Sequence, residues 1–291
     1  MITNEPSTQQ TPLADEPAGL PEQPLNPDVQ PAPGASTPAR ELPWLNLLMA
    51  FGVWIISVIL LLFVPVIVAL PYIVYKWKTG ALPRAELLAS DKTLIFISIL
   101  GIVPTHLLTL AVVWLVVTQG RRRPFWKTLG FEWPKPLGPG FGILFCFLAA
   151  LLLFGVGMAV TTLWGGGKTD LDLLIESSTP ARLATAFVAV FTAPLIEEII
   201  YRGVLYSALE RALGVGVAIA AVSLLFAGVH VLQYKNNLGV ITVITLLSVT
   251  LTLARAYTGK LLPSFLIHLI FNGIQSIIIV VSPLVGSSGS S

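Results

Sequence analysis

Charge is what this sequence has least of. Of 291 residues, 11% are charged and 55% hydrophobic, with a mean hydropathy of +0.83. An ordinary soluble domain is excluded by that balance. Cysteine is nearly missing as well, with Cys146 alone in an apolar run. An intrachain disulfide and a cysteine-based metal cluster are thereby ruled out, and Cys146 reads as a small hydrophobe rather than a nucleophile. A basic start followed by an apolar region is also lacking. The chain therefore shows no cleavable signal peptide, and its first span has to serve as its own insertion signal. No strong internal repeat indicates a transporter built from two related halves.

What is present is a set of long uncharged stretches. Leu42 to Tyr75, Thr93 to Gly120 and Pro136 to Gly167 each exceed the roughly 20 residues that cross a bilayer as a helix. The fold expected is all-α, a polytopic transmembrane helical bundle of about seven to eight spans. Seven can be placed, at about 46–74, 94–118, 141–164, 183–207, 214–233, 238–256 and 262–283. Trp44, Trp77, Trp126, Trp133 and Trp164 fall near the ends of these spans, where interfacial aromatics belong.

The net charge of +2 hides an asymmetry. Residues 1–43 carry six acidic residues against Arg40 alone, and hold 10 of the 22 prolines. Such a composition cannot bury a core, so 1–43 is expected to be a disordered tail. Residues 44–181 then form N-terminal membrane spans, 182–284 a membrane core, and 285–291 a flexible tail. Short-loop Lys and Arg give two opposed signals on orientation. The 119–140 loop holds Arg121, Arg122, Arg123, Lys127 and Lys135, which marks it as cytoplasmic and puts the N-terminus inside. The 76–92 loop, with Lys76, Lys78, Arg84 and Lys92, argues the other way.

Ionisable groups within a bilayer are costly and usually functional. They are few here. The stretch "LIEEIIYRGVLY", 195–206, carries Glu197, Glu198 and Arg202. On a helix, residues four apart share a face, so Glu198 reaches Arg202. Glu197 is turned by about 100° from Glu198 and has no opposite charge at that spacing. One carboxylate is neutralised, and the other is left as a candidate general base or acid. A buried ion pair that merely fixes helix packing is the plainer reading.

Two further stretches carry polar residues at helical spacing. "FAGVH" puts Phe226 and His230 on one face, and "HLIFN" does so for His268 and Asn272. Packing requires neither His268 nor Asn272, and both can point at one oxygen. His106, in "VPTHLL", has no such partner and reads as a hydrogen-bonded core histidine. Counted from the loops, Glu197 and His230 lie at equal depth, whereas His268 is ~10 Å out of level with them.

Together, "EEIIYRG", "FAGVH" and "HLIFN" resemble the EExxxR, FxxxH and HxxxN/D motifs of the CPBP intramembrane proteases. This family, also called Abi, includes the CAAX prenyl endopeptidases. The resemblance spans about residues 183–283. Tyr201 and Gly203 fit it too.

It implies an intramembrane endopeptidase acting on a membrane-associated protein or peptide, by CAAX-type or leader-peptide processing. Glu197 and His230 would hold and deprotonate a water, His268 and Asn272 would donate to the developing oxyanion, and Glu198, Arg202 and Phe226 would support them. Zinc on Glu197, His230 and His268 is the alternative. The lack of an HExxH pair and the presence of Asn272 favour a site without a metal. A membrane transporter, or an immunity scaffold with a proton- or ion-binding polar site, is the non-enzymatic rival. The lipid bilayer is a partner, and no nucleic acid is expected. The short loops and Pro-rich tail fit a bacterial plasma-membrane protein.

Overall fold

A computed structural model describes residues 43–81, 91–135 and 138–287. The segment predicted to be a disordered tail lies outside them up to residue 42, as do residues 288–291. Among the described residues the secondary structure is helical and there is no strand.

Each of the seven spans placed from hydropathy is found as a helix. α1 is Pro43–Lys78. The second span is made of α2, Lys92–Leu100, and α3, Ile102–Thr118, which meet at Gly101. A short α4, Phe125–Leu129, precedes α5, Pro139–Trp164. An amphipathic α6, Asp170–Ser177, is started by a capping box between Thr169 and Asp172.

The fourth span is a continuous rod from Thr179 to Leu213, built of α7 (Thr179–Phe187), α8 (Ala193–Glu198) and α9 (Tyr206–Leu213) with two π-helical segments between them. α10 (Val215–Tyr234), α11 (Leu238–Thr258) and α12 (Leu262–Ser287) complete the bundle. Six of these helices are long and apolar enough to cross a membrane, and the apolar part of α10, Val215–Val231, is a shorter seventh. The protein is an integral membrane protein.

Successive spans alternate in direction, so the loops gather at two ends. At one end the 259–261 turn meets the 119–138 loop: the Leu261 amide donates to the Gly130 carbonyl at 2.9 Å, and Lys260 pairs with Glu132. The hydrogen bond and charge of Lys260 hold the Glu132 carboxyl below the usual carboxylate range. At the other end Asn237 reaches the Gly167 carbonyl at 3.4 Å. The start of α1 and the end of α12 therefore lie at opposite ends of the bundle.

Two apolar cores flank the site. The first surrounds the second half of the rod and includes Ile199, Leu205, Leu209, Val222, Phe226 and Leu261. The second joins α5, α11 and α12 through Cys146, Ala150, Leu247, Leu251, Ile267 and Phe271, which gives Cys146 the packing role its surroundings suggest. Outward faces carry bare Leu62, Phe63, Ile67, Leu152 and Leu224, as helices solvated by lipid do. Trp77, Trp126 and Trp164 are exposed near helix ends. Trp133 departs from that pattern: it lies so close over Gly142 that an added Cβ there would stand 1.8 Å from its ring.

Candidate active site

Pro194 sets the local geometry. It lacks an N–H, so the carbonyl four residues back loses its α-helical partner. The chain answers with a π segment, Val188–Thr192, in which the Ala193 amide donates to the Val188 carbonyl five residues away. In that register the partner of the Ala189 carbonyl would be Pro194 itself, which has nothing to give. Asn272 supplies the missing donor from α12, with Nδ2 at 2.9 Å from the Ala189 oxygen. One amide hydrogen of Asn272 is thus spent on the rod, and the other is left for the cavity.

A second π segment, Ile199–Leu205, follows Glu198. The Arg202 carbonyl in it accepts from Arg255 Nε at 3.2 Å. The Arg202 side chain is fully buried and donates to Glu198 Oε1 (2.9 Å), to the carbonyl (3.0 Å) and hydroxyl (2.8 Å) of Ser248, and to Thr252 Oγ1 (3.2 Å). The Glu198–Arg202 pair expected from the four-residue spacing is therefore present, and two hydroxyls of α11 complete its shell. Sequence reasoning missed these two. Their signal was available in "SVTLT", where Ser248 and Thr252 share one face of an apolar helix.

His268 bridges the two glutamates. Its Nδ1 lies 3.1 Å from Glu198 Oε1 and its Nε2 lies 3.6 Å from Glu197 Oε2. Glu198, ionised against Arg202, only accepts, so Nδ1 donates and the ring is fixed with Nε2 toward Glu197. The depth mismatch inferred for His268 is absent, and the reason is visible at Gly203. A Cβ on Gly203 would stand 3.6 Å from Leu261 Cδ2 and 2.9 Å from Leu129 Cδ2. α12 thus begins level with residue 203, not with the turn at Gly214, and seven residues of helix bring His268 to the glutamates.

His230 occupies the facing wall. Its Nδ1 lies 2.8 Å from the Phe226 carbonyl. A carbonyl can only accept, so Nδ1 carries the hydrogen, and Nε2 is the ring nitrogen left for the cavity. Phe226 packs between the groups: its ring lies 4.9 Å from that of His230 and 6.1 Å from that of His268, with the Arg202 guanidinium 4.8 Å from its centroid. These contacts hold both imidazoles and shield the ion pair from the cavity.

Glu197, His230, His268 and Asn272 all line one cavity of about 500 Å³ inside the bundle. Its remaining walls are largely apolar and include Phe154, Val243, Leu247 and Phe271. It runs toward the end of the bundle formed by the 165–178 and 235–237 segments, where Thr169, Asp172, Gln233 and Tyr234 line it. Glu197 keeps a quarter of its side chain accessible, while Glu198 has none. The two adjacent carboxylates are thus separated by environment, one sealed in a salt bridge and one facing open space.

Among the described residues, no three His, Cys, Asp or Glu side chains stand together as a metal-ligand set.

Residues 179–274 match the model of a family described as Rce1-like, the type II CAAX prenyl endopeptidases. No curated protein and no solved structure gives a match to the chain. The matched segment contains every residue of the three motifs, from Glu197 to Asn272. This similarity of residues 179–274 supports a CAAX-protease relationship for that segment of a helical membrane protein.

Proposed function

We propose that the protein is an intramembrane endopeptidase that hydrolyses a peptide bond of a membrane-anchored CAAX-type protein or peptide without a metal. The observation that carries this reading is the cavity itself, which gathers Glu197, His230, His268 and Asn272 at bilayer depth. Stranding four such groups in hydrocarbon for packing alone would cost several kcal/mol, or about 1–3 kcal/mol for each group left unpaired.

A water held between Glu197 and His230 Nε2 loses a proton to Glu197 as its oxygen bonds to the scissile carbonyl carbon. The carbonyl oxygen becomes an oxyanion. His268, as an imidazolium with a hydrogen on each ring nitrogen, donates to it through Nε2–H, and so does the uncommitted N–H of Asn272. Collapse re-forms the carbonyl, breaks the C–N bond and returns the proton from Glu197 to the leaving amine, so the enzyme ends as it began. Glu198 and Arg202 act on this sequence through the ring of His268. The largely apolar walls favour a substrate whose segment around the scissile bond is itself apolar, and the lipid-exposed faces of the bundle suit a substrate held in the membrane.

The test is cleavage of an isoprenylated CAAX-type reporter peptide by the purified chain in proteoliposomes. Glu197→Gln is expected to reduce turnover by at least about 10²-fold, the scale of a lost general base. Cleavage by that variant at the wild-type rate would sink the reading.

A further inference from the structure

His106 is one of only three histidines in the chain, and it lies outside the family segment and its motifs. It stands in α3 with 9% of its surface exposed, between buried Thr105 and Thr109. An imidazole at that depth needs a partner. Its Nδ1 is 2.9 Å from Thr192 Oγ1. The Thr192 hydroxyl also stands 3.3 Å from the Val188 carbonyl, so one side-chain oxygen joins the histidine to the π segment.

Thr192 is the last residue of the first π segment, at φ −110°, and Pro194 follows within the next turn. The rod is weakest here, because Pro194 removes one rung of its ladder. It is held from outside at two points. Asn272 takes the Ala189 carbonyl from α12, and His106 takes the Thr192 hydroxyl from α3. Glu197 lies five residues beyond Thr192, and its carboxylate is near enough to interact electrostatically with the His106 ring.

We propose that His106 is a positioning residue for Glu197: through its hydrogen bond with Thr192 Oγ1 it fixes the π turn, and with it the direction in which the Glu197 carboxylate enters the cavity. The proposal rests on the reading of Glu197 as the base. It also gives the N-terminal spans a part in the chemistry, because α3 lies outside the matched segment.

The test compares His106→Leu, Thr192→Val, their double variant and His106→Asn, whose amide nitrogen occupies the place of Nδ1. Two measurements are made on protein in proteoliposomes: turnover of the isoprenylated reporter, and hydrogen exchange of the amides at 188–197. His106→Leu and Thr192→Val should each lower kcat by at least about tenfold with KM within about twofold, since misplacement of a reacting group by about 1 Å can cost 10²-fold. The double variant should be no worse than about twofold beyond the weaker single, because both remove one contact. Exchange across 188–197 should quicken in the same variants, and His106→Asn should restore both readouts. Unchanged exchange in His106→Leu would overturn the proposal, as would wild-type kcat in that variant while Glu197→Gln is inactive. Full activity of Glu197→Gln is a separate result: it would remove Glu197 as the base and take this proposal with it.

Discussion

At the scale of single residues, the site turns on how differently two neighbouring carboxylates are treated. Glu198 is sealed beneath His268 and clamped by Arg202, which itself makes three further hydrogen bonds to α11. Removing Arg202 leaves Glu198 buried without its cation, a change that typically costs about 3–5 kcal/mol. Arg202→Ala should therefore lower the melting temperature of the detergent-solubilised protein as well as its activity. Arg202→Lys should restore little, because one ammonium cannot replace a fork that bonds Glu198, Ser248 and Thr252 together. A melting curve for Arg202→Ala that overlays the wild type would contradict the structural role. Metal dependence belongs to the same scale. With no three-ligand set found among the described residues, turnover is expected to survive prolonged chelation. Loss of activity on chelation, restored by zinc, would revive the metal alternative.

Among the helical elements, the fourth span is the one that sequence periodicity described least well. Its existence follows from hydropathy, although the rod, Thr179–Leu213, runs past the expected 183–207 at both ends, and the Glu198–Arg202 pair follows from helical spacing, because both are local properties. The two π segments do not. They arise from Pro194 and from side chains that reach the rod from other helices, such as Asn272 at Ala189 and Arg255 at Arg202. The starting level of α12 beside Gly203 is likewise a matter of packing, which explains why a count of residues from the turns misjudged the depth of His268. Ser248 and Thr252 stood at a readable spacing, but only the fold reveals that Arg202 is what they face. A consequence can be measured. Pro194→Ala returns a donor to the ladder and removes the reason for the first π turn. Thermal stability should hold or rise, while kcat falls by at least about tenfold as Glu197 is rotated off its water. A variant that is both stable and fully active would show that the π turn is irrelevant to the site.

The whole molecule is a membrane bundle in which one end is stitched and the other carries the cavity. Arg255 ties α11 to Arg202, Ser207 and Gly259, and the Lys260–Glu132 pair closes the same end. The cavity runs away from that end, toward the segments at 165–178 and 235–237. None of the residues assigned a role in the site falls within 1–43. Deleting residues 2–40 should leave the inserted protein able to turn over its substrate, and complete loss of turnover in a folded, inserted variant would argue otherwise. The central claim is that this cavity hydrolyses peptide bonds with Glu197 as its base. The most direct measurement is mass spectrometry of an isoprenylated CAAX-type reporter incubated in proteoliposomes with wild-type protein or with Glu197→Gln. The account predicts a single new cleavage with the wild type and none with the variant. An intact reporter in both, or the same cleavage in both, would contradict it.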